Sequence, residues 1–347
     1  MSQKRLLLLA IALFLAGALL GALGMALWRG STPPNGGPGL LPAAPAVIQT
    51  RDVPQMVVVT PTPSPTPTYV SQVDLPADVL VYPLTADPQT LDPQLAADEA
   101  GALVANQIYE GLFALGEDGS VLPAAATGYT VTEDGRHYTI RLRAGASWSD
   151  GQPVTAQQFV DGVCRLLDPG LGSDLAYLLA GPAHLAGAAA YAGGSQPDCR
   201  QVGIAAPDAL TLALTLTEAS PALPQFLGMG VVLPARLDLL EQALGPAAAP
   251  PPAATSALTV APAAIVGNGP YRLAEYRPGD HLTLVKNPGY WRADAVTVTR
   301  VELPILPAAA GQLQLYLAGR SLVSALPAEE AVRVWNDAGL RRELRRL

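Results

Sequence analysis

Charge, aromatic side chains and soft metal ligands are all scarce in this chain. Only 14% of its 347 residues are charged, against ~25% in an ordinary soluble protein, which excludes a charge-rich disordered chain. Twenty-one basic residues face 29 acidic ones, for a net charge of −8, and no basic run occurs before the last seven residues. A nucleic-acid partner, which needs a basic surface, is therefore not expected. Aromatic residues make up 5%, too few for a series of stacking platforms. The three histidines (His137, His184, His281) and two cysteines (Cys164, Cys199) are scattered, and no pair has the spacing of a zinc or haem site. No metal or other cofactor is expected. No G-x-S-x-G is present, so there is no nucleophile elbow. Gly267-Asn268-Gly269-Pro270 lacks the third glycine of a dinucleotide loop and the Lys-Ser/Thr of a P-loop. It reads as a turn entering a strand. Asp118, Asp134 and Asp150 each precede glycine, which is turn chemistry rather than acid–base catalysis. Nothing in this inventory supports an enzyme.

What the chain has in abundance is apolar surface and loop formers: half the residues are hydrophobic, and Gly and Pro together make 67. After Lys4 and Arg5 an uncharged apolar run extends from Leu6 to Trp28, 23 residues, and at ~1.5 Å per residue a helix of that length crosses a ~30 Å hydrocarbon core. Residues 1–29 are read as a signal anchor or transmembrane helix, with a cleaved signal peptide as the alternative. Both place the remainder on the extracytoplasmic side, because Lys4 and Arg5 stay inside. Residues 30–68 form a linker that ends in alternating Thr/Ser-Pro from Thr60 to Thr68. In polyproline II, at ~3.1 Å per residue, it spans up to roughly 100 Å.

Globular patterning begins at Tyr69. Val79-Leu80-Val81-Tyr82 reads as a short strand, and Ala100 to Leu112 as a helix with Leu103, Ile108 and Leu112 on one face. Glu117-Asp118-Gly119 and Glu133-Asp134-Gly135 are hairpin-turn signals, and Tyr138, Ile140 and Leu142 alternate with polar residues. Thr155 to Gln158 is a capping box opening a helix that carries Phe159, Val163 and Leu166 and stops at Asp168-Pro169-Gly170. Ala206 to Leu216 and the Leu282–Leu284 region are strands. Gly245 to Pro262 is an Ala/Pro-rich insert, and Ala328 to Ala338 a final helix. An even cysteine count in an exported chain favours a Cys164–Cys199 bridge, with two buried thiols as the alternative.

Several segments, taken in order, resemble the bacterial extracellular solute-binding proteins of family 5, the oligopeptide-, dipeptide- and nickel-binding receptors of ABC importers. They are Thr90-Leu91-Asp92-Pro93, Tyr109-Glu110-Gly111-Leu112, Asp118 to Pro123, Asp134-Gly135 through Arg143, Trp148 to Ala156, Ala206 to Leu212, Gly267 to Tyr271 and Lys286 to Trp291. The resemblance implies an α/β fold of the type II periplasmic-binding-protein class, and an extracytoplasmic receptor that holds peptide main chain by strand-like hydrogen bonds and passes its cargo to ABC permease subunits. It implies scaffold roles for the motif glycines and prolines.

Family members are longer, so the resemblance assigns this chain the first lobe and a smaller β-rich subdomain, with the second large lobe missing. Residues 69–107 and 217–347 then form a partial large lobe, and residues 108–216 the subdomain. A truncated or split receptor is expected, with a separately encoded second lobe as a possible partner. A membrane-tethered surface docking or adaptor protein without transport activity is the alternative. The stretch after the capped helix normally offers an aromatic to the peptide. Leu175 takes that position here, with Tyr177 two places on, so Leu175 and Tyr177 are the candidate ligand contacts. A core tyrosine is the other reading of Tyr177.

Overall fold

The computed structural model describes residues 75–244 and 261–344. The expected anchor (1–29), the linker (30–68) and residues 245–260 of the insert lie outside them. No helix among the described residues is long and apolar enough to cross a membrane.

The chain opens with β1 (Val79–Val81) and α1 (Glu99–Ile108), then the hairpin of β2 (Phe113–Leu115) and β3 (Val121–Pro123). β4 (Ala126–Val131), β5 (His137–Leu142), α2 (Ala156–Leu167) and two short helices, α3 (Ala176–Ala180) and α4 (Ala188–Ala192), follow. Next come β6 (Ile204–Asp208), β7 (Thr211–Thr215), α5 (Leu223–Gly228) and α6 (Leu237–Leu244). β8 (Tyr271–Arg277), β9 (His281–Lys286), β10 (Arg300–Pro304), α7 (Ala309–Leu317), α8 (Ala331–Asn336) and α9 (Ala338–Arg341) complete it.

Two four-stranded sheets organise these elements. One has the order β1-β10-β9-β8, with β1 parallel to β10 and the other pairs antiparallel. The second, β4-β5-β7-β6, is antiparallel throughout. In the second sheet Tyr138, Ile140 and Leu142 of β5 are buried on the same face as Leu212 and Leu214 of β7. α2 packs across β6 and β7 on that face with Phe159, Val163 and Leu166. Both sheets share one continuous apolar core, and a small second cluster of Leu313, Leu317, Val334 and Leu340 sits under the C-terminal helices.

Local chemistry sets the turns. Gly119 and Gly135 adopt φ of 76° and 69° at the two hairpins, a region open to glycine at little cost. Asp118, Asp134 and Asp150 each accept the backbone N–H two residues on, at 3.0, 3.1 and 3.0 Å, so each is a turn former as its glycine neighbour implies. The capping box of Thr155 and Gln158 is formed. The Gln158 side-chain oxygen accepts from both the Thr155 N–H and the Trp148 indole, each at 2.9 Å.

Three expectations need correction. The first helix ends at Ile108 rather than Leu112, because Asn268 captures both the N–H and the C=O of Glu110, each at 2.9 Å. Those bonds pull the backbone out of the helix. The Ala206–Leu216 region is two strands, because Asp208 accepts the Leu210 N–H at 2.9 Å and turns the chain. The final helix is shorter than Ala328–Ala338: residues 328–330 form a tighter 3₁₀ turn, and Asp337 caps a new turn by accepting from Gly339 and Leu340.

Cys164 and Cys199 are joined as a disulfide, Cα atoms 5.7 Å apart, closing a loop of 35 residues. It ties α2 to the segment entering β6. A loop of this length contributes about 3–4 kcal/mol in the chain-entropy model.

Candidate functional site

Leu175 and Tyr177 lie at the start of α3, on a support built from distant parts of the chain. Arg165, on the last turn of α2, forks onto Asp92 with Nη1–Oδ1 at 2.6 Å and Nη2–Oδ2 at 2.5 Å. Both side chains are nearly buried, at 11% and 5% exposed. Arg165 also donates to the Gln94 side chain (2.9 Å), and Gln94 in turn donates to the Leu233 carbonyl (3.3 Å). Ser173 Oγ donates to the Gln94 carbonyl (2.6 Å) and accepts from the Leu175 N–H (3.2 Å). The sequence of bonds therefore runs from a bidentate ion pair to the backbone of the first candidate contact residue. Leu175 is half-buried against the core. Tyr177 is 61% exposed, which rules out a core role and leaves its ring free on the surface. Pairing across 73 residues of sequence, as in Arg165–Asp92, is invisible to local patterning.

A second locus gathers the motifs that carry the family resemblance. Glu110 accepts from the Tyr290 hydroxyl and from Trp291 Nε1, the latter at 2.7 Å. The Arg143 guanidinium stacks 3.6 Å over the Trp291 ring, and Arg292 lies 5.4 Å from its centre, both favourable cation–π placements. The Gly267 carbonyl accepts from the Ser149 N–H (2.8 Å), and the residue sits so close to α1 that a Cβ would stand 2.1 Å from the Ile108 oxygen. Glycine is required there by close approach, not by phosphate binding. The Tyr109-Glu110, Trp148-Ser149, Gly267–Pro270 and Tyr290-Trp291 motifs thus form a junction between α1, the second sheet and the β8–β10 region. A cleft of about 500 Å³ opens beside it, walled by Phe113, Met229, Tyr271 and Val298 among others. Its size suits a small molecule, but neither Leu175 nor Tyr177 lines it.

Burial pushes the Glu110 carboxyl up to about 7, against the pull of Tyr290, Trp291, Arg292 and Arg143. A carboxyl raised above its unfolded value of 4.5 takes up a proton on folding, so its stabilising contribution is complete below about pH 4.5 and is lost as pH rises through about 7. The expected result is that chemical unfolding of the wild type shows a fall of roughly 1–3 kcal/mol between pH 5 and pH 8. Glu110→Gln, which mimics the protonated form, should flatten that slope. Equal slopes in the two proteins would show that Glu110 is ionised throughout.

Among the described residues no three His, Cys, Asp or Glu side chains converge as a metal site requires.

Comparison with known proteins gives concordant matches. The family model described as bacterial extracellular solute-binding proteins, family 5 middle, matches residues 120–345. The probable deoxycholate-binding periplasmic protein of Escherichia coli (strain K12) is 31% identical over 255 residues, covering 74% of this chain and 45% of that protein. The dipeptide-binding protein DppE of Bacillus subtilis (strain 168) is 32% identical over 245 residues, covering 70% and 42%. Among solved structures, the Escherichia coli murein tripeptide-binding protein superposes with a TM-score of 0.67 at 27% identity, covering 78% of this chain and 49% of that one. The Listeria monocytogenes oligopeptide-binding protein bound to peptide gives 0.66 at 26% identity, covering 75% and 49%. The chain spans about half the length of the relatives it matches.

Proposed function

The chain belongs to the bacterial extracellular solute-binding proteins of family 5, with the fold of type II periplasmic binding proteins, and from that premise we propose that it is the peptide-binding component of an ABC importer, held outside the cytoplasmic membrane. The observation that carries the reading is the Leu175–Tyr177 surface: an exposed aromatic beside an apolar neighbour, fixed from below by the Ser173–Gln94–Arg165–Asp92 bonds. A rigid support of this kind lowers the ordering cost of binding. Peptide main chain lies along this surface, and Tyr177 covers one side chain. The apolar run of residues 6–28 exports the protein and, left uncleaved, anchors it, with the Pro/Thr-rich linker as spacer. The chain binds and does not catalyse; ABC permease subunits are its downstream partners.

Peptide is the favoured cargo because relatives are named for dipeptides, oligopeptides and murein peptides. One relative is named for deoxycholate, so a bile salt is the natural competitor. This surface alone leaves the far side of the peptide in water, and the expected dissociation constant is on the order of 0.1–1 mM. Calorimetric titration with pooled tri- to pentapeptides, and separately with sodium deoxycholate below its micelle concentration, tests the reading. Peptide heats that weaken at least threefold in Tyr177→Ala are expected. Binding of deoxycholate alone would replace the cargo class, and no binding of either would favour the docking or adaptor role.

A further inference from the structure

Among the described residues the outer edge of β4 is unpaired, and in a self-complementary way. Thr132 donates its N–H to the His137 carbonyl at 3.0 Å, and the register pairs Thr130 with Thr139 and Gly128 with Arg141. In an antiparallel ladder hydrogen-bonded and non-hydrogen-bonded pairs alternate. Tyr129 and Val131 are therefore the non-bonded positions, and their N–H and C=O groups point away from β5. Among the described residues none of these four groups has a hydrogen-bond partner. The opposite edge, β6, carries Pro207, a usual guard against strand addition. β4 has neither proline nor charge in its Ala-Thr-Gly-Tyr-Thr-Val sequence.

The side chains are exposed on the same edge. Tyr129 lies opposite Ile140, and Val131 opposite Tyr138, so both project onto the face that buries Ile140 and Tyr138 at 0% and 4% exposure. α2 covers that face over β6 and β7, at the far side of the sheet from β4. Tyr129 and Val131 are left 42% and 46% exposed. The Tyr129 ring is steadied by Phe113 and Tyr138, centroids 5.7 and 5.8 Å away.

We propose that β4 pairs with β4 of a second copy of this chain, antiparallel about a two-fold axis at Thr130, to make one eight-stranded sheet. Tyr129 of each copy then lies opposite Val131 of the other, and the two pairs exchange four backbone hydrogen bonds. The same register sets an aromatic against a β-branched residue on the half-covered face, a favourable cross-strand pair. It also brings Glu133, at the acidic tip of one copy, to the end of the other copy's β4, beside which Arg141 keeps its side chain 65% exposed while bonded to Thr211. Charge, backbone and side chains thus match under one two-fold operation, the usual symmetry of a homodimer. The contact is short, so association is weak.

The test uses the full chain in detergent. Thr130→Cys places two side chains across the axis at a separation that a disulfide spans. Mild oxidation is expected to give a covalent dimer several-fold in excess of that from Gln157→Cys on the exposed face of α2. Adding Val131→Pro, which removes an outward N–H and leaves the β4–β5 bonds in place, should abolish the excess. In the wild type, amide exchange over residues 128–132 should slow at least threefold as concentration rises from about 5 to 500 μM. No excess over Gln157→Cys, an excess indifferent to Val131→Pro, or concentration-independent exchange would each overturn the proposal.

Discussion

Arg165→Met is expected to destabilise the protein by about 3–5 kcal/mol, because it strands the Asp92 carboxylate in an environment where it is 5% exposed. Equilibrium unfolding in urea reads this as a lower midpoint at an unchanged slope. The paired change, Asp92→Leu with Arg165→Met, should recover much of the loss, since a buried ion pair replaced by apolar groups of similar volume is often close to neutral. Recovery of stability need not restore function. The bonds from Arg165 to Gln94 (2.9 Å) and onward to Ser173 and Leu175 position the candidate peptide surface. The paired variant should therefore fold and still bind peptide less well. If Arg165→Met alone costs under about 1 kcal/mol, the pair behaves as an exposed one, and the proposed support under Leu175 is not rigid.

Trp148→Ala should cost a similar amount, about 3–5 kcal/mol, from the cavity left by a fully buried indole. Trp148 is also the point where the capped start of α2 meets the Trp148–Ala156 turn, through the 2.9 Å bond from its indole to Gln158. Trp148→Phe keeps most of the volume, and Gln158 still accepts from the Thr155 N–H, so a loss of about 1–2 kcal/mol is expected from the part of the site left unfilled and the missing indole hydrogen bond. The difference between the two variants, measured by thermal or urea unfolding, separates packing from capping. Equal losses would assign the whole effect to the hydrogen bond.

The parts of this fold that could be read from sequence are those written in local chemistry. Asp-Gly pairs gave the hairpins, alternation of Tyr138, Ile140 and Leu142 gave a one-faced strand, and Thr155 with Gln158 gave a helix start. Each depends on residues within a few positions of one another. The features that were not legible depend on contacts between distant segments. The apolar spacing overruns the first helix by four residues because Asn268, 158 positions away, competes for the backbone at Glu110. The parallel pairing of Val79 with Arg300 has no signal in either segment alone. The role of Glu110 is likewise set from a distance, by Tyr290 and Trp291, although a single carboxylate between Tyr109 and Leu112 at an apolar helix end hints that it needs buried partners. Local composition does not decide the exposure of Tyr177 either: Ala176-Tyr177-Leu178-Leu179 reads as core, and only the family resemblance points to a ligand contact.

The family motifs and the candidate peptide surface occupy different places in the fold. Glu110, Gly267, Tyr290 and Trp291 secure a junction, whereas Leu175 and Tyr177 are held by Arg165, Asp92 and Ser173 at another. The 500 Å³ cleft is the competing location for a peptide. Photo-crosslinking the full chain with a pentapeptide carrying a central benzophenone residue, followed by mass mapping, distinguishes the two directly. Adducts within residues 173–178, competed away by unlabelled peptide, are the expected result. Competable adducts confined to the walls of the cleft around Phe113, Met229 and Trp291 would contradict it.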